Sequence, residues 1–221
     1  MSLYLNLSEK LTDKITRNEL RSFLVPLATK NLILEIGAKD KPYRDLFPNS
    51  VALDIDKSPQ IDVMADAQSL PFQPGSFSVI LCTEVLEHCH SPQRLIDECY
   101  RVLKKDGKLI LTTRFIFPIH DAPNDFFRFT KYGLKYLCRD FSKSKIKAEV
   151  GTLSTIGVLL QRLAFQCVWV TKIPVINVSL HILAKMLPPF SRLIKREYGN
   201  INRSRIEKDI MTSGYYLVAL K

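Results

Sequence analysis

The sequence predicts an α/β protein with a Rossmann-like, seven-stranded, mostly parallel sheet and helices on both faces. Short apolar runs recur between Leu32 and Thr112, separated by amphipathic stretches, as in parallel sheets that are buried on both sides. Several of these runs end in an acidic residue. Residues 152–212 form an interval too long for an ordinary loop, so a helical insert is expected before the last strand.

The expected strands are short, apolar and bounded by loop residues. Ligands of such sheets bind in the crevice outside the carboxyl ends of the strands, where carboxylates provide acceptors for hydroxyl and amino groups. The predicted strands are Leu32–Gly37, Val51–Asp54, Ile61–Asp66, Phe77–Cys82, Leu109–Thr112, Lys145–Val150 and Gly214–Leu220.

Helical patterns fill most of the intervals between these strands. Residues 1–30 are expected to form an N-terminal helical cap, with helix over 8–29. Pro42–Phe47 is predicted to be a short first crossover helix, and Pro92–Leu103 a longer one with an apolar inner face. Thr130 is a good N-cap for a helix that runs through Cys138.

The insert over 152–212 is both basic and apolar. Its most apolar window, Leu163–Leu183, is interrupted by Lys172, Pro174 and His181. A membrane-spanning helix needs ~20 mostly apolar residues. Two amphipathic helices that break at Pro174 are therefore expected, either as a lid over an acceptor pocket or as a membrane-surface element within one domain of 221 residues.

Charge is distributed unevenly along the chain. Residues 1–130 carry 16 Lys or Arg and 17 Asp or Glu, whereas residues 131–208 carry 15 and 4, which is a net charge of +11. The positive charge adjoins apolar helices, so it favours an anionic membrane surface over nucleic acid as partner.

Five cysteines without a CxxC pair indicate a reducing cytoplasm and no structural metal. No leader pattern is present, so we expect a cytoplasmic protein, peripheral on the inner face of the membrane.

Five local motifs agree in order and spacing. They are Glu35-Ile36-Gly37, Asp54, Asp66-Ala67 with the following Leu70-Pro71-Phe72, Glu84-Val85-Leu86-Glu87-His88, and Arg101 through Gly107. Together they resemble the class I S-adenosylmethionine (SAM)-dependent methyltransferases, of the type 11-like kind. The segment His120–Thr130 further resembles bacterial methyltransferases of glycan and lipid pathways. The resemblance implies SAM as cofactor and a last strand antiparallel to its neighbours.

The resemblance also implies roles for the residues at the strand ends. Asp54 would accept hydrogen bonds from both ribose hydroxyls, and Asp66 from the adenine amino group. The competing interpretation of each is a capping or loop carboxylate. Glu35 would organise the first turn, or serve the fold alone. The predicted cofactor-binding residues are Glu35, Gly37, Ala38, Lys39, Asp54, Ile55, Asp66, Ala67, Thr83 and Glu84.

One departure from the family pattern lies in the first motif. Lys39 stands where the family has a second glycine, and Lys41 follows. Glycine permits positive φ and close approach of the backbone to a ligand. Lys39 would either pair with the methionine carboxylate of SAM or weaken the cofactor site.

His88 and His120 are the candidate catalytic bases. A histidine titrates near neutrality and can accept a proton from an acceptor hydroxyl. His120 has Asp121 and Asp125 near enough in sequence to orient it, and a catalytic and a structural role are equal alternatives for it. For His88 a structural hydrogen bond that pins the loop after the fourth strand is the favoured interpretation. Arg128 and Asp125 are predicted substrate-binding residues, with an ion pair between them as the competing interpretation.

The predicted function is methyl transfer from SAM to a small-molecule, glycan-linked or lipid-linked acceptor, by O-methylation. Methylation of nucleic-acid amino groups is disfavoured, because Thr83-Glu84-Val85-Leu86 stands where such enzymes have an Asp/Asn-Pro-Pro-aromatic motif. The alternative is a non-catalytic scaffold or membrane-surface assembly module of the same fold, for which Lys39 is the main indication.

Overall fold

The sheet of this computed structural model has seven strands. In chain order they are β1 (Ile33–Ile36), β2 (Ser50–Asp54), β3 (Val63–Met64), β4 (Phe77–Thr83), β5 (Leu103–Arg114), β6 (Lys143–Ala148) and β7 (Gly214–Leu220). Their order in the sheet is β3-β2-β1-β4-β5-β7-β6. β1 to β5 pair in parallel, and β7 is antiparallel to β5. The predicted fold class is therefore confirmed.

The structure describes residues 13–39, 42–168 and 174–221, which belong to two compact units. One unit contains the described residues up to Ser22, together with Ile116–Pro118 and Ala148–Ser213. The other contains Phe23–Phe115, Ile119–Lys147 and Gly214–Lys221. The second unit holds the sheet, apart from the last residue of β6.

The centre of the sheet is fully buried. All four residues of β1 are buried, and it lies between β2 and β4. β3 has only two strand residues where the sequence predicts six, because it lies at the edge of the sheet and the Asp62 side chain accepts from Ala52 N at 2.8 Å. β6 begins and ends two residues earlier than predicted.

The first crossover differs from the prediction. Pro42–Phe47 forms a turn rather than a helix, in which the amides of Leu46 and Phe47 both donate to Tyr43 O at 2.9 Å. The side chain of Phe47 is fully buried and anchors the turn. With Pro48 directly after it, the segment has no room to extend a helix.

The other helices of the sheet unit follow the sequence prediction. The first helix, α1 (Ile15–Leu24), starts in the first unit. The next helix, α2, covers Pro92–Val102. α3 covers Lys131–Leu137, and the Thr130 hydroxyl accepts from Gly133 N at its start, as an N-cap does. A 3₁₀ turn, Val25–Leu27, follows α1.

The insert contains two helices, as predicted. They are α4 (Thr152–Gln166) and α5 (Pro174–Met186), followed by a 3₁₀ turn over Pro188–Leu193. The two helices pack closely, since a Cβ on Gly157 would lie 2.6 Å from Ala184 O. In the described part of the chain, every helix is too short or too polar to cross a bilayer.

Candidate active site

A cavity of about 590 Å³ opens at the carboxyl ends of the parallel strands. This is the position where ligands bind in open α/β sheets. It is lined by Ile36, Gly37, Lys39, Leu53, Asp54, Ile55, Asp56, Ala65, Asp66, Ala67, Gln68, Glu84, Val85, His88, Cys89, Asp121, Ala122 and Asn124. Most of the predicted cofactor residues therefore meet at one cavity, although Glu35, Ala38 and Thr83 do not line it.

The turn after β1 approaches the cavity with its backbone. Gly37 has φ +73°, and its amide and that of Ala38 donate to Leu53 O at 2.9 and 3.2 Å. A Cβ on Gly37 would lie 2.3 Å from Val85 Cγ2. The position therefore requires glycine both for its dihedral angle and for space. Glu35 is buried in β1 behind this turn.

Lys39 does not fill the cavity. Its ammonium pairs with Asp56 Oδ2 at 3.3 Å, and both side chains are largely exposed. The Lys39 carbonyl accepts from Ser58 Oγ at 3.0 Å, which holds this turn against the loop after β2. A flexible exposed lysine leaves the cavity open. Lys41, the other departure from the family pattern, lies outside the described residues.

The loop after β2 presents a carboxylate and an apolar side chain. Asp54 Oδ1 accepts from Asp56 N at 3.0 Å, which fixes the carboxylate at the strand end. A carboxylate has about four acceptor sites, so capacity for two hydroxyl groups remains. Ile55 is 68% exposed although it is large and apolar. It offers a surface against which a flat ring can pack.

Asp66 is held by a residue that the sequence reasoning missed. Gln68 N donates to Asp66 Oδ1 at 2.8 Å, and Gln68 Nε2 lies 3.2 and 3.3 Å from the two carboxylate oxygens. The Gln68 amide oxygen accepts from Ser91 N at 2.8 Å. A carboxylate that accepts from the backbone N–H two residues later forms an Asx turn. An aspartate in a loop is the sequence signal for such a turn.

The end of β4 carries a charged pair. Glu84 has φ +57° and forms an ion pair with Arg114, whose side chain is buried at the end of β5. Glu84 N donates to Thr112 O at 3.0 Å. Glu84 was predicted to contact the cofactor through its backbone, and it is one of the residues that line the cavity. Arg114 was missed, although an arginine that ends an apolar run is a recognisable signal of a buried ion pair.

His88 and His120 lie against each other, with ring centroids 4.9 Å apart. His88 Nδ1 lies 2.6 Å from the Asn124 carbonyl, which accepts only, so Nδ1 carries the proton. In neutral His88 the basic nitrogen is then Nε2, which lies 4.0 Å from Asp121 Oδ2. His88 lines the cavity, whereas His120 does not.

His120 is held by Asp125 rather than by both aspartates that the sequence analysis considered. His120 Nδ1 lies 3.3 Å from Asp125 Oδ2, and His120 N donates to the same oxygen at 2.9 Å. Asp121 instead faces His88. Burial lowers the pKa of His120, because the uncharged ring is favoured away from water.

Asp125 and Arg128 form an ion pair. Two Arg128 nitrogens donate to the two Asp125 oxygens, each at 2.6 Å. The side chain of Asp125 is 1% exposed, and the hydrogen bonds from Arg128 lower its pKa to about 2. The sequence analysis left this pair and a substrate contact as alternatives, and the pair is what the geometry contains.

Glu87 is a further buried carboxylate that the sequence reasoning did not assign. It is fully buried, and Thr113 Oγ1 donates to its Oε2 at 2.6 Å. Burial raises its pKa. Its backbone carbonyl accepts from the amides of Phe126 and Phe127, which fixes the segment after β5 against this turn.

Glu87, His88 and His120 bring three atoms of the metal-ligand type within 4.8 Å of one another. Ligands at 2.0–2.1 Å from a tetrahedral zinc lie roughly 3.4 Å apart, so the group would have to contract to hold that ion. Of these three residues, only His88 lines the cavity.

Sequence comparisons match the central part of the chain. A family model described as a methyltransferase domain matches residues 42–111. The ubiquinone biosynthesis O-methyltransferase of Xanthomonas euvesicatoria pv. vesicatoria is 49% identical over 41 residues, 19% of this chain and 17% of the relative. The ubiquinone biosynthesis O-methyltransferase of Pseudomonas putida is 34% identical over 106 residues, 45% and 42% of the two chains. The chain thus spans less than half the length of these curated relatives.

Solved structures with the same fold cover nearly the whole chain. A SAM-dependent methyltransferase from Archaeoglobus fulgidus is 16% identical, covers 99% of both chains and has a TM-score of 0.57. The cyclase SpnF is 15% identical, covers 93% of this chain and 81% of its own, and has a TM-score of 0.54. At these identities the likeness concerns the fold.

The strand-end motifs, the sheet order and the matched family model agree. The relatives carry quinone-biosynthesis names and give no support to the resemblance to the glycan- and lipid-pathway subgroup. SAM is the cofactor that the family uses. Residues 42–111 match the methyltransferase-domain model, and the fold of the chain is that of SAM-dependent methyltransferases of known structure.

Proposed function

We propose that the protein transfers a methyl group from SAM to a hydroxyl of a small-molecule or lipid- or glycan-linked acceptor. One observation carries the proposal: the Gly37 turn, Asp54 and Asp66 line a single cavity of about 590 Å³ at the carboxyl ends of the strands. A nucleoside needs an apolar surface and acceptors for its hydroxyl and amino groups, and the cavity offers both.

We infer a position for each part of SAM in the cavity. Asp54 accepts from the ribose hydroxyls, and Asp66 from the adenine amino group with the Ala67 amide nearby. The adenine ring packs on Ile55, which accounts for a large apolar side chain left 68% exposed. The methionine end lies on the Gly37 turn with Glu35 and Ala38 behind it, where Lys39 can leave Asp56 to pair with the carboxylate. Glu84 lines the cavity at the end of β4, and Thr83 directly precedes it.

His88 is the group we assign to the acceptor proton. As the acceptor oxygen forms its bond to the methyl carbon, the carbon–sulfur bond breaks and its electron pair stays on sulfur. The hydroxyl proton passes to His88 Nε2. His120, whose pKa burial lowers, packs on His88 and is the second base that we propose. Positioning supplies the larger share of catalysis, because the sulfonium is already activated.

Arg128 and Asp125 act on the acceptor side through this histidine pair. Asp125 holds His120 by two contacts and is itself held by Arg128. Contact of the Arg128 guanidinium with an anionic group on the acceptor is a further part of the proposal. An Arg128→Lys variant separates the two roles, because lysine can contact an anion but cannot form the bidentate pair.

The acceptor class follows from the relatives' names alone. Ubiquinone biosynthesis O-methyltransferases act on hydroxyl groups, and we extend that chemistry to this chain. The test is methyl-labelled SAM with a panel of phenolic, lipid-linked and glycan acceptors. Label that appears on an acceptor hydroxyl and is lost in His88→Gln supports the proposal. Label on no acceptor, with SAM bound, contradicts it.

Lys39 is the reason to consider a second function, because it stands where the family has a second glycine and would there weaken the cofactor site. The fold is not confined to methyl transfer, since the name of the cyclase SpnF, which shares it, describes another reaction. The alternative is a non-catalytic scaffold or membrane-surface assembly module of this fold. It predicts that folded protein binds neither SAM nor its product S-adenosylhomocysteine and labels no acceptor.

A membrane surface is the partner we propose for the insert. Val175, Val178, Ile182 and Met186 form a stripe at helical spacing on α5 and are 63%, 48%, 43% and 55% exposed. Basic residues accompany the stripe, namely Lys185, Arg192, Lys195 and Arg196. An apolar face with basic flanks is typical of helices that lie in the membrane interface. It would place the protein in the cytoplasm, peripheral on the inner face of the membrane.

Co-sedimentation with vesicles tests this partner. Binding to vesicles that contain anionic phospholipid, weakened at high salt and by Ile182→Glu, supports it. A matched Leu32→Glu change, at an exposed apolar position outside the insert, makes the same change in net charge. Equal sedimentation with neutral vesicles, or none with anionic ones, would assign the insert to a lid instead.

A further inference from the structure

A second groove, of about 700 Å³, lies in the sheet unit and shares no lining residue with the cofactor cavity. Three strands and the segment after α1 border it. Its lining residues are Phe23, Pro26, Leu27, Lys108, Lys143, Ser144, Lys145, Lys147, Tyr216, Val218 and Leu220. Their composition is divided between apolar side chains and lysines.

The floor of the groove is apolar. Tyr216, Val218 and Leu220 are alternate residues of β7, so their side chains point to the same face of the sheet. The Phe23 ring stacks on Tyr216 with centroids 4.5 Å apart and planes at 23°. Leu27 extends this surface. The floor is therefore a continuous apolar surface that an alkyl or prenyl chain can cover.

The rim of the groove is cationic. Lys143, Lys145 and Lys147 are alternate, exposed residues of β6, and Lys108 of β5 adds a fourth ammonium. Alternate residues of a strand stand roughly 6.6 Å apart. None of the residues that line the groove is acidic. The lining of the groove thus contains four lysines and no carboxylate, and a bound anion would relieve the repulsion among their charges.

Edge protection is the competing explanation for these lysines. β6 is the last strand of the sheet, and lysines on edge strands prevent pairing with other chains. That role requires charge but no cavity. Here the lysines border an apolar volume of about 700 Å³, within the range of small-molecule sites. The combination fits a ligand that has a charged head and an apolar body.

We propose that this groove binds a single-chain lipid with a phosphate head group. The chain covers Tyr216, Val218 and Leu220, and the phosphate lies among Lys143, Lys145 and Lys147. The site is separate from the cofactor cavity, so its occupation does not depend on methyl transfer.

Calorimetry with dodecyl phosphate below its micelle concentration tests the proposal on the full chain. The variant is Lys143→Glu with Lys145→Glu. Its matched control is Lys104→Glu with Lys105→Glu, which makes the same charge change at exposed positions of β5 outside the groove. Butyl phosphate, inorganic phosphate and dodecanol separate the head group from the chain. A thermal melt of each variant confirms folding.

The expected result is saturable binding of dodecyl phosphate that weakens at least tenfold in the groove variant and less than twofold in the control. Butyl phosphate, inorganic phosphate and dodecanol should each bind at least tenfold more weakly. Equal affinity for inorganic and dodecyl phosphate, equal loss in both variants, or no binding would overturn the proposal. Sedimentation velocity tests for a dimer. A dimer that excludes the ligand would overturn the proposal and assign the groove to a second copy of the chain.

Discussion

Gly37 and Val85 stand so close that a single added methyl group could not fit between them, since a Cβ on Gly37 would lie 2.3 Å from Val85 Cγ2. The two residues come from the turns after β1 and β4, which are adjacent parallel strands. Both line the cavity at the carboxyl ends of the strands. The contact therefore sets how near the backbone of the first motif comes to the wall of the site.

A Gly37→Ala variant should lose stability and SAM affinity together. Its positive φ costs roughly 1 kcal/mol with alanine, and the clash with a stiff valine adds to that. We expect a destabilisation of about 2–3 kcal/mol in urea unfolding. Gly75→Ala is the matched control, because Gly75 has φ +70° but nothing within 4 Å of its added Cβ. Equal losses of stability in the two variants would mean that the positive φ alone causes the destabilisation and that the contact with Val85 does not contribute.

A His88→Gln variant should reduce methyl transfer by about 10²-fold or more with the SAM affinity retained. The reason is that general-base catalysis typically contributes 10²–10⁴-fold. Glutamine keeps a side-chain amide that can reach Asn124 O, so the loop should stay in place. The measurement is single-turnover methyl transfer beside a SAM titration. An unchanged rate would show that His88 only pins its loop.

The pH dependence should reflect the lowered pKa of His120. Burial lowers this pKa, Asp125 raises it, and His88, Arg114 and Arg128 lower it. Neutral His120 is therefore favoured down to a pH below the usual 6.5, and activity should fall only as the pH drops through that lowered pKa. The C2 proton resonance of His120, assigned with His120→Gln, gives the titration directly. A midpoint above 6.5 would contradict the burial argument.

Asp125 should stabilise the fold in a pH-dependent way. Its pKa of about 2 in the folded state lies below the ordinary 3.8, so the contribution is present above pH 4 and lost as the pH falls toward 2. The size is about 2 kcal/mol at neutral pH, since one pKa unit corresponds to 1.36 kcal/mol. Urea unfolding of Asp125→Asn at pH 7 and pH 3 measures it. An exposed control, Asp140→Asn, should change the stability little at either pH.

The sequence predicted the sheet because its strands are short apolar runs whose ends carry charged or polar residues. β1, β2, β4 and β7 lie where the runs predict them, and the Thr130 cap starts its helix. The sequence could not show that the crossover over Pro42–Phe47 is a non-helical turn, because six residues that end in an apolar side chain fit a single turn of helix equally well. The two helices of the insert were predicted from the break that Pro174 imposes on its apolar stretch.

Sequence reasoning identified residues that line the cavity where a single strand end determines their position, and it missed contacts between residues distant in the chain. Gly37, Asp54 and Asp66 stand at strand ends and line the cavity. The partners of Glu84 and Glu87, which are Arg114 and Thr113, come from β5 and depend on the strand register. Asp121 and Asp125 are equally near His120 in sequence, and only the chain path after β5 decides which one holds it.

Binding of SAM at the cavity is the most direct test of the account. Calorimetric titration with SAM and S-adenosylhomocysteine would use the full chain, Asp54→Ala and the exposed control Asp140→Ala. The account predicts micromolar binding of both ligands that Asp54→Ala loses by at least tenfold and Asp140→Ala retains. Folded protein that binds neither ligand, or binding that survives in Asp54→Ala, would contradict it.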